Sequence, residues 1–248
     1  MKNIFTIAVV GNPNVGKTAL INMLSGSHLK LGNWPGVTVE KKETSLFYKG
    51  FNIKLIDLPG VYGLGSLTQD EIITSNYLFT KNYDMIINVI DAHNLQLNMY
   101  LTSQLLELKK PTLVAINFYN EFKKNGNIFI FEEFTKKLNI DALPIEANQA
   151  KEKINLLDAC ISLLKSHKIP KPFEKLRSNQ GRQEVVKMYL HKILQLKHKT
   201  YTTITDKLDK IFLHPILGLF SFFAIFCQLE NKIVHGRRKK IILLYSCF

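Results

Sequence analysis

The chain has 248 residues, and its 33 Lys and Arg residues outnumber 20 acidic residues to give a formal net charge of +13. Its three cysteines, Cys160, Cys227 and Cys247, lie far apart and form no C-x-x-C pair, which excludes a disulfide framework and a cysteine metal site of the usual spacing. The segment 1–10 lacks the basic start and small-residue cleavage site of a secretory signal peptide, so we expect the amino terminus to stay inside the cell.

The first predicted elements are a strand, a glycine-rich loop and a helix. Residues 4–10 form an apolar run, residues 11–18 read GNPNVGKT, and residues 19–24 have a helical pattern. In the pattern G-x-x-x-x-G-K-[ST], backbone N–H groups enclose phosphate oxygens, the lysine meets the outer phosphates and the hydroxyl reaches Mg²⁺. The positive end of the helix dipole also faces the anion. The predicted phosphate loop consists of Gly11, Asn12, Pro13, Asn14, Val15, Gly16, Lys17 and Thr18.

A turn that reads GVTVE contains a second candidate Mg²⁺ ligand. The hydroxyl of Thr38 is placed to swing onto the metal when a γ-phosphate is present, as in the first switch of a GTPase. A Pro-Gly-X-Thr turn is also common loop chemistry, so this turn is weak evidence when taken alone. The predicted site includes Gly36, Val37, Thr38, Val39 and Glu40.

The next motif, Asp57–Leu58–Pro59–Gly60, ends an apolar strand at residues 51–56. Asp57 supplies a carboxylate for the water shell of Mg²⁺, and Gly60 supplies a main-chain N–H for the γ-phosphate. We therefore predict that Asp57, Leu58, Pro59 and Gly60 belong to the nucleotide site. The groups predicted to act in catalysis are Lys17, Thr38 and Gly60.

The segment that would read the base, Asn117–Phe118–Tyr119–Asn120, follows an apolar strand at residues 111–116. Asn120 stands where an N-x-x-D motif has Asp. Two carboxylate oxygens match the two N–H donors on the edge of guanine, whereas an amide offers one acceptor and turns a donor toward a donor. One unpaired buried donor costs about 1–3 kcal/mol, or roughly tenfold to a hundredfold in affinity. We predict a weakened preference for guanine and some tolerance for xanthine.

The last part of the predicted base site is the loop after the next strand, where residues 144–148 read PIEAN. A main-chain N–H in this loop normally completes the contact with the base, and Ala147 is the candidate for it. The predicted base contacts from this loop are Glu146, Ala147 and Asn148.

Three motifs together resemble one protein family: GNPNVGKT at 11–18, NWPGVTVE at 33–40 and DLPGVYGL at 57–64. They are similar to the cytosolic GTPase domain of the bacterial ferrous iron transport protein B (FeoB) family. Residues 205–220 are similar to the junction at which the first membrane helix of that family begins. The resemblance covers most of residues 1–227 and implies a Ras-like domain, a small helical domain and a membrane transporter for Fe²⁺.

The resemblance also bears on catalysis. It implies activation by K⁺ with Asn14 as a ligand, although the residues alone indicate a turn residue equally well. Residue 61 is Val, so the side chain that often orients attacking water in Ras-like enzymes is missing. No arginine precedes Arg177, so the predicted GTPase domain has no arginine finger of its own. We therefore expect slow, Mg²⁺-dependent hydrolysis of GTP to GDP.

The predicted fold class is α/β, with a Ras-like P-loop GTPase domain at residues 1–168 that has a mostly parallel sheet and helices on both faces. Residues 169–208 form a short helical domain or linker that starts at Pro170 and Pro172 and contains an amphipathic helix at 183–196. Because one such helix is not stable alone, we expect it to pack on the GTPase domain or on the membrane. Residues 209–230 are a candidate transmembrane helix.

The charge is concentrated near that candidate helix, with a net charge of +2 in residues 1–165, +6 in 166–230 and +5 in 231–248. This favours anionic lipid headgroups over nucleic acid as the partner, although a solvated basic helix has the same pattern. The uncharged run 211–227 reaches only ~25 Å of a ~30 Å hydrocarbon core, so a buried or interfacial helix is the alternative. A single span would also carry Arg237 and Arg238 to the outside, against the positive-inside bias.

We infer from this conflict that the chain is truncated or frame-shifted near Glu230 and that residues 231–248 are a non-native tail. One possible span cannot enclose a polar path for Fe²⁺, so the chain alone is not expected to transport iron. The expected location is the bacterial cytoplasmic membrane, with the GTPase domain facing the cytoplasm.

Three hypotheses about function remain open. The first is the GTPase part of a FeoB-type Fe²⁺ transporter, with the remaining membrane spans, small accessory iron-transport proteins and a second copy of the chain as partners. The second is a soluble GTPase that binds ribosome or RNA. The third is a catalytically silent nucleotide-binding remnant.

Overall fold

A computed structural model describes residues 4–25, 29–34, 37, 39–65, 67–80, 82–173, 179–196 and 219. All of these except residue 219 belong to the first of two compact units, which comprises residues 1–197. The strands are β1 (Ile4–Gly11), β2 (Leu29–Asn33), β3 (Glu40–Tyr48), β4 (Phe51–Asp57), β5 (Met85–Asp91), β6 (Thr112–Asn117), β7 (Ile128–Phe129), β8 (Asp141–Pro144) and β9 (Leu194–Gln195). The helices are α1 (Lys17–Ser25), α2 (Gln69–Thr80), α3 (Leu95–Glu107), α4 (Tyr119–Lys124), α5 (Phe131–Leu138), α6 (Glu152–Ser166) and α7 (Asn179–Ile193).

The described residues contain a seven-stranded sheet with the order β2-β3-β4-β1-β5-β6-β8. β4, β1, β5, β6 and β8 are parallel, whereas β3 pairs with both β2 and β4 in antiparallel fashion. The parallel strands β1, β5 and β6 consist mainly of apolar residues and are largely buried, as expected for strands that are covered on both faces. The predicted mostly parallel sheet is confirmed.

Successive residues of β1 show that helices cover both faces of the sheet. Ile7 and Val9 pack in one cluster with residues of α1 and α6. Ala8 and Val10 point the other way, because side chains alternate along a strand, and pack in a second cluster with residues of α2 and α3. All four β1 residues are fully buried. The prediction of helices on both faces is therefore also confirmed.

The amphipathic helix predicted at residues 183–196 is present as α7, with different ends. It begins at Asn179 and ends at Ile193, and the next two residues form β9, which pairs antiparallel with β7. The predicted end was wrong because Leu194 pairs with Phe129 of β7 and does not continue the helix.

The apolar face of α7 packs on the nucleotide domain. Val186 and Tyr189 lie in one cluster with residues of α3 and α5. The buried guanidinium of Arg182 lies 2.8 Å from a carboxylate oxygen of Glu107 and donates to the hydroxyl of Ser103 at 3.2 Å. We expected this helix to pack on the GTPase domain or on the membrane, and in the structure it packs on the nucleotide domain.

Within the described residues, no helix is both long enough and apolar enough to cross a bilayer. The candidate transmembrane helix predicted at 209–230 and the tail at 231–248 lie outside the described residues, apart from Leu219.

Candidate nucleotide-binding site

The phosphate loop lies between the carboxyl end of β1 and the start of α1. It needs two residues with left-handed backbone, Asn14 with φ of 64° and Gly16 with φ of 88°. Asparagine tolerates this conformation better than most residues, and glycine adopts it without steric cost. Gly16 is also required by space, since a Cβ atom there would lie 2.1 Å from the side-chain nitrogen of Asn117. α1 begins at Lys17, directly after the loop, as predicted.

A cleft of about 510 Å³ opens beside this loop. It brings together seven of the predicted residues and adds two that sequence reasoning missed, Ala19 and Asp70. Asp70 lies in the first turn of α2, and acidic residues are common there because they favour the positive end of the helix dipole. Nothing in the sequence therefore indicated that Asp70 also lines the cleft. The cleft is lined by Asn12, Pro13, Asn14, Gly16, Lys17, Thr18, Ala19, Gly60 and Asp70.

The segment 57–61 is held against the phosphate loop by main-chain contacts. The N–H of Leu58 donates to the carbonyl of Val9 at 3.1 Å, and the N–H of Val61 donates to the carbonyl of Gly11 at 3.2 Å. A Cβ atom at Gly60 would lie 3.2 Å from the Cα of Pro13. This close approach places the predicted γ-phosphate contact, Gly60, on the wall of the cleft.

Lys17 and Asp57 form an ion pair in which both side chains are largely buried. The sequence predicted separate partners for them, the outer phosphates for Lys17 and a water of Mg²⁺ for Asp57. The pairing stabilises both charges, because a buried charge without a partner is costly. Because Lys17 and Asp57 are in contact, a single bound ligand could reach both the ammonium and the carboxylate.

Asn117 braces the phosphate loop against the loop that follows β8. Its amide nitrogen donates to the carbonyl of Val15 at 2.9 Å, and its amide oxygen accepts from the N–H of Ala147 at 3.0 Å. All three residues are buried. In this structure the N–H of Ala147 bonds Asn117, and its predicted contact with the base stays a prediction.

The remaining residues predicted to contact the base lie around the start of α4. Glu146 Oε1 accepts a hydrogen bond from the main-chain N–H of Asn120 at 2.7 Å. Asn120 and Asn148 are exposed, and Phe118 precedes α4 with a left-handed φ of 59°. Tyr119 packs on the rings of neighbouring aromatic residues, and burial raises the pKa of its hydroxyl. The ring of Tyr119 therefore helps to pack α4 against its aromatic neighbours.

Several predicted residues contribute main chain only or are not described. The side chains of Val15 and Leu58 are buried in the core. Gly36 and Thr38 lie outside the described residues, so the role of Thr38 as a Mg²⁺ ligand stays a prediction.

Around these positions, the N–H of Val37 donates to the carbonyl of Trp34 at 3.2 Å, and the N–H of Trp34 donates to the carbonyl of Val39 at 2.9 Å. Glu40 starts β3, and its carboxylate lies 3.3 Å from the ammonium of Lys42.

The oxygen ligands in the cleft and beside it fit a phosphate-bound Mg²⁺. The part of the chain that the structure describes holds no group of three or more His, Cys, Asp or Glu residues that would bind a metal without other ligands. Thr18 and Asp57 offer one hydroxyl and one carboxylate, which are oxygen ligands. Mg²⁺ usually keeps several waters and is bound by one or two protein groups plus substrate phosphates.

Comparisons with known proteins agree with this site. The sequence profile of the family described as "Ferrous iron transport protein B" matches residues 5–160. The Fe(2+) transporter FeoB of Helicobacter pylori (strain J99 / ATCC 700824) is 38% identical over 234 residues, which cover 90% of this chain and 36% of that protein. The chain therefore spans little more than a third of the length of this relative.

Solved structures have the same fold. The cytosolic domain of L. pneumophila FeoB has a TM-score of 0.69 and 29% identity and covers 77% of this chain and 99% of its own. The cytosolic domain of the T. maritima FeoB iron transporter in its GMPPNP form has a TM-score of 0.69 and 25% identity, with 77% of this chain and 99% of that chain covered.

Proposed function

The chain belongs to the ferrous iron transport protein B (FeoB) family, and on this premise we propose that its described domain binds GTP with Mg²⁺ and hydrolyses the GTP to GDP. The observation that carries the proposal is the cleft, where the phosphate loop, Lys17, Thr18 and Gly60 meet. Each of these groups supplies a contact that a triphosphate needs: main-chain N–H donors, an ammonium, a hydroxyl and a glycine at close approach.

The ion pair of Lys17 and Asp57 gives a physical account of how the site would accept its substrate. Lys17 would leave Asp57 and bind phosphate oxygens, and Asp57 would then contact a water on the metal. Thr18 and Asp57 are the described residues that would hold Mg²⁺, together with the predicted ligand Thr38. The metal, when bound, supplies positive charge to the outer phosphates. The charges of the pair are thus satisfied before and after binding.

Hydrolysis by these residues is expected to be slow. Residue 61 is a buried valine whose N–H bonds Gly11, so its side chain cannot orient a water. Arg182, a basic residue of α7, is already engaged by Glu107 and Ser103. Without an arginine finger, the expected rate is on the order of 10⁻³ to 10⁻² s⁻¹.

We also propose a K⁺ site at Asn14. Asn14 lines the cleft, and its amide carries an oxygen that can bind a monovalent cation. A cation held there would add positive charge where an arginine finger acts in other GTPases.

The function of the whole protein is a further proposal, since the chain spans 36% of the H. pylori relative. We propose that GTP binding and hydrolysis regulate uptake of Fe²⁺ by the membrane spans of the transporter, at the cytoplasmic membrane. Accessory iron-transport proteins and a second copy of the chain are the further partners that family membership suggests.

The test is release of phosphate from GTP by the full chain with Mg²⁺, compared between wild type and Lys17→Ala. We expect slow turnover by wild type and none above background by Lys17→Ala. The matched control is Lys54→Ala, which removes a lysine of β4 that pairs with Glu43 away from the cleft. Binding of GTP without turnover by wild type would refute hydrolysis and favour a silent nucleotide-binding module. Absence of both would refute the proposal as a whole.

A further inference from the structure

We infer that Glu146, and not Asn120, is the residue that selects guanine. The inference rests on the proposed function, since it concerns which base the proposed nucleotide site accepts. The motif at residues 117–120 ends in an amide, Asn120. The carboxylate that the base requires would come instead from Glu146, in the loop after β8.

The chemistry of the base sets the requirement. The edge of guanine carries two neighbouring N–H donors, and only a carboxylate offers two acceptor oxygens to them. The amide of Asn120 offers one acceptor and one donor, so it leaves one of the two contacts unmade. If Asn120 were the reading residue, the site would discriminate poorly between guanine and xanthine.

The sheet brings a carboxylate to the same place. β6 and β8 are parallel neighbours, with Ile116 opposite Pro144. The start of α4, which contains Asn120, and the loop that contains Glu146 therefore lie next to each other at the same edge of the sheet. This is the edge that also carries the phosphate loop after β1.

A hydrogen bond joins Glu146 to residue 120 itself. The Oε1 of Glu146 accepts from the main-chain N–H of Asn120 at 2.7 Å, so the carboxylate lies beside the residue at which an N-x-x-D motif has its aspartate. Oε2 receives no hydrogen bond within the described part of the chain and has its acceptor sites open. The side chain is half-buried, so it is both shielded and accessible.

The same loop is tied to the phosphate site. The residue after Glu146, Ala147, donates its N–H to Asn117, which in turn donates to the carbonyl of Val15. Two consecutive hydrogen bonds thus hold the main chain next to Glu146 in a defined relation to the phosphate loop. Such preorganisation is what a specificity group requires, because a mobile group gains less from each hydrogen bond.

A structural role for Glu146 must be separated from base selection, because Oε1 also satisfies an N–H in the first turn of α4. Glu146→Gln makes this separation. The amide oxygen of glutamine can still accept from the N–H of Asn120, whereas the second acceptor becomes a donor. A purely structural role predicts an unchanged preference for nucleotide bases in this variant.

The experiment measures binding of GDP and of XDP, with Mg²⁺, to the full chain by calorimetry. For Glu146→Gln we expect GDP affinity to fall about tenfold to a hundredfold and XDP affinity to rise, with the melting temperature unchanged. For Asn120→Asp we expect no gain in GDP affinity, since the second carboxylate is placed beside the first. For the double variant Asn120→Asp with Glu146→Gln we expect GDP affinity to return.

The matched control is Glu121→Gln, which makes the same change on the exposed face of α4 next to Asn120 and is expected to bind GDP like wild type. A Glu146→Gln chain that binds GDP and XDP as wild type does would overturn the inference and leave the proposed function intact. So would an Asn120→Asp chain that binds GDP more tightly. A wild-type chain that binds neither nucleotide would refute the proposed function, and the inference with it.

Discussion

Replacement of Asn117 by alanine tests whether the nucleotide site is assembled by a single buried side chain. The amide of Asn117 makes two hydrogen bonds, one to the carbonyl of Val15 and one from the N–H of Ala147. Alanine removes both at once. Because Val15 and Ala147 are themselves buried, water does not readily replace the lost partner.

The expected loss of stability follows from those two groups. A buried donor or acceptor left without a partner costs about 1–3 kcal/mol, so Asn117→Ala is expected to lose about 2–6 kcal/mol. This is a large part of the 5–15 kcal/mol that typically stabilises a folded domain. For a domain of about 200 residues, the melting temperature should fall by at least about 4 °C.

Asn88→Ala is the matched control, because it makes the same truncation at a fully buried position of β5. Asn88 donates one hydrogen bond, at 2.7 Å, to the hydroxyl of Thr102, and that hydroxyl also bonds the carbonyl of Asn98. The expected loss is therefore only about 0.5–1.5 kcal/mol. Urea unfolding of the full chain gives both free energies, and calorimetry with GDP and Mg²⁺ gives the affinities.

We expect Asn117→Ala to lose stability and at least about tenfold in GDP affinity, and Asn88→Ala to lose some stability with GDP affinity unchanged. The reasoning would be refuted if the two variants were equally stable. It would also be refuted if Asn117→Ala bound GDP as tightly as wild type, because the brace would then not hold the phosphate loop in its binding shape.

Three further predictions concern the cleft and the core. Gly60→Ala is expected to slow GTP hydrolysis at least about tenfold, since its methyl group would lie 3.2 Å from the main chain of Pro13; an unchanged rate would contradict that contact. Replacing K⁺ by Na⁺ is expected to slow hydrolysis by wild type but not by Asn14→Ala, and equal rates of wild type in both salts would exclude the K⁺ site. Burial raises the pKa of the Cys160 thiol to about 12, so the free energy of unfolding should fall as the pH rises above the unfolded pKa of about 9. Iodoacetamide at pH 8 should not label the Cys160 peptide of the folded chain. Labelling as fast as in urea would contradict the burial of Cys160.

The parts of the fold that the sequence predicted are those with strong local patterns. The strands β1, β5 and β6 are mainly apolar, and such nearly continuous apolar runs indicate buried parallel strands. β3 was not predicted, because its sequence EKKETSLFY begins with four charged and two polar residues and has apolar residues only at its end. It forms a strand because β2 and β4 both pair with it, which is a tertiary effect.

In the candidate site, too, the locally encoded part could be predicted from the sequence and the contacts between distant residues could not. The phosphate loop was predictable because its chemistry lies within eight consecutive residues, where backbone geometry and the start of a helix are set locally. Glu146 and Ala147 were predicted to contact the base only because they lie in the expected loop. Nothing local indicated that their partners would be Asn120 and Asn117.

The sequence by itself determined the chemistry available for phosphate and Mg²⁺, since the loop, the ammonium and the hydroxyl are neighbours in the chain. The tertiary structure decided which side chains complete the site. The ion pair of Lys17 with Asp57 joins residues 40 positions apart, and the brace from Asn117 to Val15 joins residues 102 positions apart. Such contacts depend on the order of strands in the sheet, which brings distant loops to one edge, and no local pattern encodes that order.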